Sequence, residues 1–490
     1  VGATVDDAVG TDGRLGNVLT TDEGADTTTL NADTFQAANW TSDDPVRIAN
    51  GPNGLVTVDA TSDILFNDTV DSVDTEANDL TLVAPNTTFE EQVGSLNADS
   101  AIGTLIVTDS QGGFADRTNL NTDLITVIDL AEFNDPTLVD TGLANGTLVI
   151  AATGAAGLID FTDASTLNDG AGGDQNLQLD ATTTRFSGPV GTGAGNVEPL
   201  GTDSTVELDS ITTVDGPNDD VTILNDPILE AENWTFNDPV VVGDAGVALG
   251  VDLVGYQTVA FNDILDSALD ELNNLTVDSQ DATFVGDVGQ TDDDANDLDN
   301  TDPDGLLGDL LVTDVNTGAG TGLAKLETPA VAAVNTTFET GLRLDGPADG
   351  ANLNQVHTVV GTTSLTFDAV DSQSGEGNSL NAFTDGGVRD NFIFGTDGPG
   401  DTRFNGNIGN GDASGDRLGA LLTDADGTTF YNAAVANAGQ GLLSPNNAFE
   451  HNDPVVLESP LAMNSDGADV DFNNTVNSED GTETLEIGRA

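Results

Sequence analysis

The sequence predicts an all-β fold, and within that class a repetitive β-solenoid, on three observations. Short apolar runs such as TLIVTD and PVVV are bounded by Gly, Asp, Asn and Pro, the alternation of strand and turn. A unit of about 100 residues recurs five times along the 490-residue chain. Helical rhythm is nearly absent: ILDSALDELNNL has one, but its aligned counterpart TVDSVDTEANDL does not, so both read as strand, loop, strand.

The unit opens on a phenylalanine, Phe66 in LFNDTVDS, Phe161 in DFTDAST, Phe261 in AFNDILDS, Phe367 in TFDAVDS and Phe472 in DFNNTVNS. A strand-like run follows at Leu80, Leu177, Leu275, Leu380 and Leu485. Next comes a Thr-rich segment with Phe89, Phe186, Phe284 or Phe404, and four residues later Val93, Val190, Val288 or Ile408, each followed by Gly. A Leu-Gly or Ile-Gly pair then opens another strand (LGNVLTTD, IGTLIVTD, LGDLLVTD, LGALLTDADG). Last comes an Asn/Asp-Asp-Pro turn at Pro45, Pro136, Pro239 and Pro454; proline fixes φ and pushes the residue before it out of the helical region. Trp40 and Trp234 each lie five residues before such a proline. These landmarks tile the chain as units 1–92, 93–189, 190–287, 288–407 (with an insertion near GGVRDNFIFGTDGPGD) and 408–490, the last incomplete.

Two architectures accept such a unit. Coils of roughly 20 to 25 residues can stack at about 4.8 Å, each burying one face of its strands. A string of Ig-like β-sandwich domains is the alternative, since about 100 residues and seven strands is their usual size. A sandwich keeps an aromatic anchor in each domain, yet Trp serves only two of the five units. Gly-rich turns and single phenylalanines at repeated strand positions favour the solenoid.

Composition bounds the partners. Asp and Glu number 85 against 10 Lys and Arg, a formal charge of −75. Such a surface repels nucleic acid and anionic membranes and calls for counter-ions, among them divalent cations. There is no Cys, and no apolar run approaches the roughly 18 residues of a membrane helix. The start VGATVDDAVG has no Met and no signal-like pattern, as expected of a processed or internal start.

The succession ATFVGDVG, LGDLLVTD, NDPVVV, FND, VDS, LTV resembles the β-strand repeat regions of filamentous-haemagglutinin-like adhesins and autotransporter passenger regions. The resemblance implies a right-handed β-helix, a secreted or surface-displayed protein, and no catalytic residues.

The residues themselves offer little catalytic chemistry, and the expectation is that the chain is not an enzyme. His357 and His451 are not a repeated pair and read as strand or loop residues. No Gly-x-Ser-x-Gly elbow occurs. Calcium is the one cofactor suggested. In DDDANDLDNTDPDG, Asn300, Asp302 and Asp304 precede Gly305 as in the first half of an EF-hand loop, although Leu311 stands where the bidentate Glu belongs. Asp424 and Asp426 in TDADGT form a second candidate; a solvated acidic loop is the bland reading of both.

The functional expectation is an extracellular or cell-surface fibre protein, a homopolymer growing head-to-tail through its solenoid ends. The chain starts and stops at nearly the same phase of the unit, short of one Thr-x-Phe strand, and an open solenoid end recruits strands. An adhesin stalk or binding module is the alternative, and a polysaccharide-acting β-helix enzyme the third.

Overall fold

A computed structural model describes residues 4–5, 13–21, 27–49, 54–73, 76–94, 100–109, 117–143, 145–162, 165–170, 174–191, 207–216, 220–243, 250–268, 271–289, 305–314, 322–345, 356–372, 379–384, 400–409, 417–423, 425, 427–439 and 447–488. Among these residues the secondary structure is strand throughout, with no helix, and the pairings between strands are parallel. The fold is a β-solenoid, not a string of sandwiches, whose strands would pair antiparallel. Two compact units divide it, Val1–Asp238 and Pro239–Ala490.

In the first unit every coil adds one strand to each of three stacks. One inward column runs Phe35, Val58, Leu82, Val107, Phe133, Phe161, Phe186, Leu224. A second runs Ser42, Phe66, Phe89, Leu120, Val139, Asp169. The third runs Val46, Val70, Val93, Ile125, Ile150, Leu179, Thr213. Along these columns coils span from 19 residues (Leu120 to Val139) to 38 (Phe186 to Leu224), longer than the expected 20 to 25 where loops are inserted between strands.

The second unit repeats the scheme. Its columns run Phe261, Phe284, Leu326, Leu344, Ser372; Leu253, Val277, Val312, Phe338, Phe367, Phe404, Tyr431, Leu457, Ser478; and Val331, Val359, Ala382, Thr423, His451, Phe472.

The repeated phenylalanines are the core. Phe66 lies on Phe89, Phe161 on Phe186, Phe261 on Phe284 and Phe367 on Phe404, with ring centroids 5.3 to 5.7 Å apart and planes within 17° of parallel. All eight are fully buried. Each burial contributes about 1.5–3 kcal/mol, and each stacked pair a further ~1 kcal/mol. The Val-Gly landmark also has a structural cause. Val93 bridges Val70 and Ile125, and Val288 bridges Leu265 and Val331. The following Gly94 and Gly289 sit at φ +63° and +67°, where a Cβ would lie 2.0 Å from the carbonyl oxygens of Thr126 and Ala332. Only glycine meets both conditions.

Sequence repeat and coil do not keep step. Four coils after Phe66 its column reaches Asp169, but the repeated Phe161 comes one strand earlier, in a different column. In the second unit Phe261, Phe367 and Phe472 occupy all three columns in turn. The 100-residue unit is therefore one strand short of four coils, and each repetition turns its landmarks onto the next face.

Candidate functional site: buried corners and outward ladders

The turns between strands hold buried polar side chains that the repeat brings back. Ser72 and Asn78 come from VDSVDTEAND and Ser267 and Asn273 from LDSALDELNN; all four are buried. The Asn78 amide donates to the Ile48 carbonyl at 3.0 Å and to Ser72 Oγ at 2.9 Å. Asn273 does the same with Val242 at 2.8 Å and Ser267 Oγ at 3.0 Å. In these two repeats the shared stretch supplies a hydroxyl and an amide six residues apart at the same corner.

The Asp-Pro turns hold a second kind of corner. The turn was expected; the buried carboxylate was not legible, because its donors lie 16 to 30 residues earlier. Thr28 Oγ1 donates to Asp44 at 3.1 Å. Asp238 accepts from Thr213 and, at 2.8 Å, from Thr222. Asp453 accepts from Thr423 and Thr429, both at 2.7 Å. Burial pushes the Asp238 and Asp453 carboxyls above their ordinary range, and the threonine hydroxyls hold them back.

His451, fully buried, joins the Asp453 corner. Its Nδ1 is 3.2 Å from Thr423 Oγ1 and its Nε2 3.2 Å from Tyr431 Oη. The ring also lies on Phe472, centroids 5.3 Å apart, in place of the phenylalanine other coils use. Burial holds the imidazole at about 3, hence neutral. His357 is equally buried in the strand Val356–Ser372, its Nδ1 2.9 Å from the Thr328 carbonyl. Both are strand residues of the core, as expected.

The five candidate calcium ligands, Asn300, Asp302, Asp304, Asp424 and Asp426, lie outside the described residues. Among the described residues no three His, Asp or Glu side chains stand close enough to hold an ion. No helix there is long and apolar enough to cross a membrane.

Outward side chains also form ladders. In the first unit Asn17, Asn39, Asp63 and Asn86 stand on successive coils. Asn39 donates to Asn17 at 2.8 Å and Asn86 to Asp63 at 3.0 Å. Beside them run Leu19, Thr41, Leu65 and Thr88, and the two rows border a groove of about 560 Å³.

Compared with known proteins, the chain matches no family model, no curated protein and no solved structure.

Proposed function

We propose that the chain is a structural array, a secreted or surface-displayed solenoid that builds an extracellular fibre by adding coils head to tail. One observation carries this reading: coil after coil stacks in the same parallel register on continuous columns, a mode of packing that a further coil can extend. Among the described residues Val476 is 38% and Ile487 51% exposed in the second unit, and Leu15 and Leu19 are exposed in the first. Exposed apolar side chains beside a strand edge favour the addition of another strand. A contact between unlike ends does not close on itself and gives a filament. The resemblance to adhesin and autotransporter repeats supports the surface location.

Sedimentation and electron microscopy of the whole chain test the reading. Filaments that lengthen with concentration are expected, at a salt concentration high enough to screen the charge of −75. Deleting 472–490 should leave folded material that does not polymerise. Particles of single-chain mass at every concentration and salt contradict it.

A second reading, a stalk that carries a binding face, is favoured by the groove along Asn39 and Asp63. Its amide, hydroxyl and leucine lining suits a neutral oligosaccharide, and Asn39→Ala should then abolish binding without affecting assembly.

A further inference from the structure

One Asp-Pro corner differs from the others in what stands beside its acid. Ser42, Phe133 and Phe236 lie two residues before Asp44, Asp135 and Asp238, but His451 lies two before Asp453. The imidazole meets the threonine clamp on one side and Tyr431 on the other. Thr423, Thr429, Tyr431, His451 and Asp453 are each at most 1% exposed.

Donors and acceptors fix the direction of every bond. An ionised carboxylate only accepts, so Thr423 gives its single hydroxyl proton to Asp453 Oδ1 and Thr429 gives its own to Oδ2, both at 2.7 Å. Thr423 Oγ1 can then only accept from His451, 3.2 Å away, which places a proton on Nδ1. In the neutral ring Nε2 is left as the acceptor, and the Tyr431 hydroxyl donates to it at 3.2 Å. The chain runs one way, from phenol to carboxylate.

A protonated Asp453 reverses it. The carboxyl hydroxyl now donates to Thr423 Oγ1, Thr423 donates to Nδ1, and the ring donates from Nε2 to Tyr431 Oη. One concerted shift reaches this state. Tyr431 passes its proton to Nε2, Nδ1 passes its proton to Thr423, and Thr423 passes its own to Asp453. Solvent returns one proton to the phenol, which is the net uptake. We propose that this corner is a pH-sensitive switch, in which uptake of one proton converts a neutral His451 from the Nδ1–H to the Nε2–H tautomer.

The surroundings leave Asp453 as the group that titrates. Burial holds its carboxyl above the ordinary range, against the pull of Thr423 and Thr429. Burial keeps the imidazole neutral down to about 3, and burial followed by the charge of Asp453 keeps the phenol protonated. The carboxylates on the strands packed against the corner bond elsewhere: Asn447 donates to Glu450 at 3.4 Å and to Asp471 at 2.7 Å, and Arg403 pairs with Glu458. In the acid state the Tyr431 proton has no acceptor in the chain, so the switch weakens the joint between the coil of Tyr431 and the coil of His451.

The test is solid-state NMR of the whole chain labelled with 15N-histidine, which reads each ring nitrogen whether or not the chain has assembled. The chain has two histidines, and His357 is the reference, because its Nδ1 lies 2.9 Å from the Thr328 carbonyl, which can only accept. At pH 7 both rings should carry the proton on Nδ1. As the pH falls towards about 4, the range of carboxyl titration, His451 should move to the Nε2–H form without becoming cationic, and His357 should not follow. Thr423→Val, which cuts the chain between ring and carboxylate, should abolish that change. An Nε2–H ring for His451 at pH 7 overturns the switch. So does a His451 that keeps one tautomer until it becomes cationic, a result the wild type gives without the variant. A tautomer change that survives in Thr423→Val does the same.

Discussion

Asn273 donates its side-chain amide to the carbonyl of Val242 in the preceding coil, at 2.8 Å, and Asn78 makes the same bond to Ile48. A buried carbonyl deprived of its donor costs about 1–3 kcal/mol, and Ser267 Oγ would lose a partner as well. Asn273→Leu should therefore destabilise by roughly 2 kcal/mol or more, measured as the shift of the urea midpoint. Ser267→Ala should cost less, because the Val242 carbonyl keeps its bond.

Asp169 stands where Ser72 and Ser267 stand in their repeats, with Gln175 in place of the asparagine. The residue is 4% exposed; burial pushes its carboxyl up to about 6, against the pull of the backbone N–H groups of Gln175, Asp174 and Gly170 and with a further push from Asp140. The folded value lies above the unfolded one, so the ionised form destabilises the fold above about pH 6. Stability should rise as pH falls through 6 towards 4, below which the unfolded chain is protonated too. Asp169→Ser should raise stability at pH 7 by on the order of 2 kcal/mol and remove its share of this slope. A paired pH series of denaturation midpoints checks both.

Gly289 and Gly467 both have φ in the left-handed region, +67° and +84°. A Cβ on Gly289 meets the Ala332 carbonyl oxygen, whereas one on Gly467 meets nothing within 4 Å. Gly467→Ala should cost about 1 kcal/mol for backbone strain alone. Gly289→Ala should cost clearly more, since a backbone atom has to move, and the difference between the two midpoints measures the contact.

His451 continues an aromatic ladder as a neutral ring. Its folded value, about 3, is far below the ordinary 6.5. Its contribution to stability is therefore complete above pH 6.5 and is lost as pH falls towards 3, because the unfolded chain takes up a proton that the core refuses. His451→Phe should narrow the stability gap between pH 7 and pH 5 by about 2 kcal/mol, read from the same titration. Tyr431 loses its partner in this variant, so the absolute stability at pH 7 should fall.

The fold was legible because its landmarks are local. Phe66 and Phe89, or Val93 and Gly94, lie within one coil of each other, and the backbone demands of stacking select them directly. The rotation of the columns was hidden: sequence similarity aligns Phe261, Phe367 and Phe472, but it is the strand register that puts them on three different faces. The buried acids were hidden for a related reason. Asp453 reads as a turn residue until Thr423 and Thr429 of the previous coil close on it. The acid-rich loops that drew attention in sequence lie outside the described residues.

Mass per unit length of the assembled material, measured by scanning transmission electron microscopy, tests the proposed fibre most directly. Coils of about 27 residues stacked at about 4.8 Å, continued from one copy to the next, give a filament one solenoid thick at roughly 0.6 kDa per Å. That value should hold along the filament and should persist in Asn39→Ala. Filaments at multiples of it would show lateral bundling in place of end-to-end growth, and particles of single-chain mass with no filaments would contradict the structural role itself.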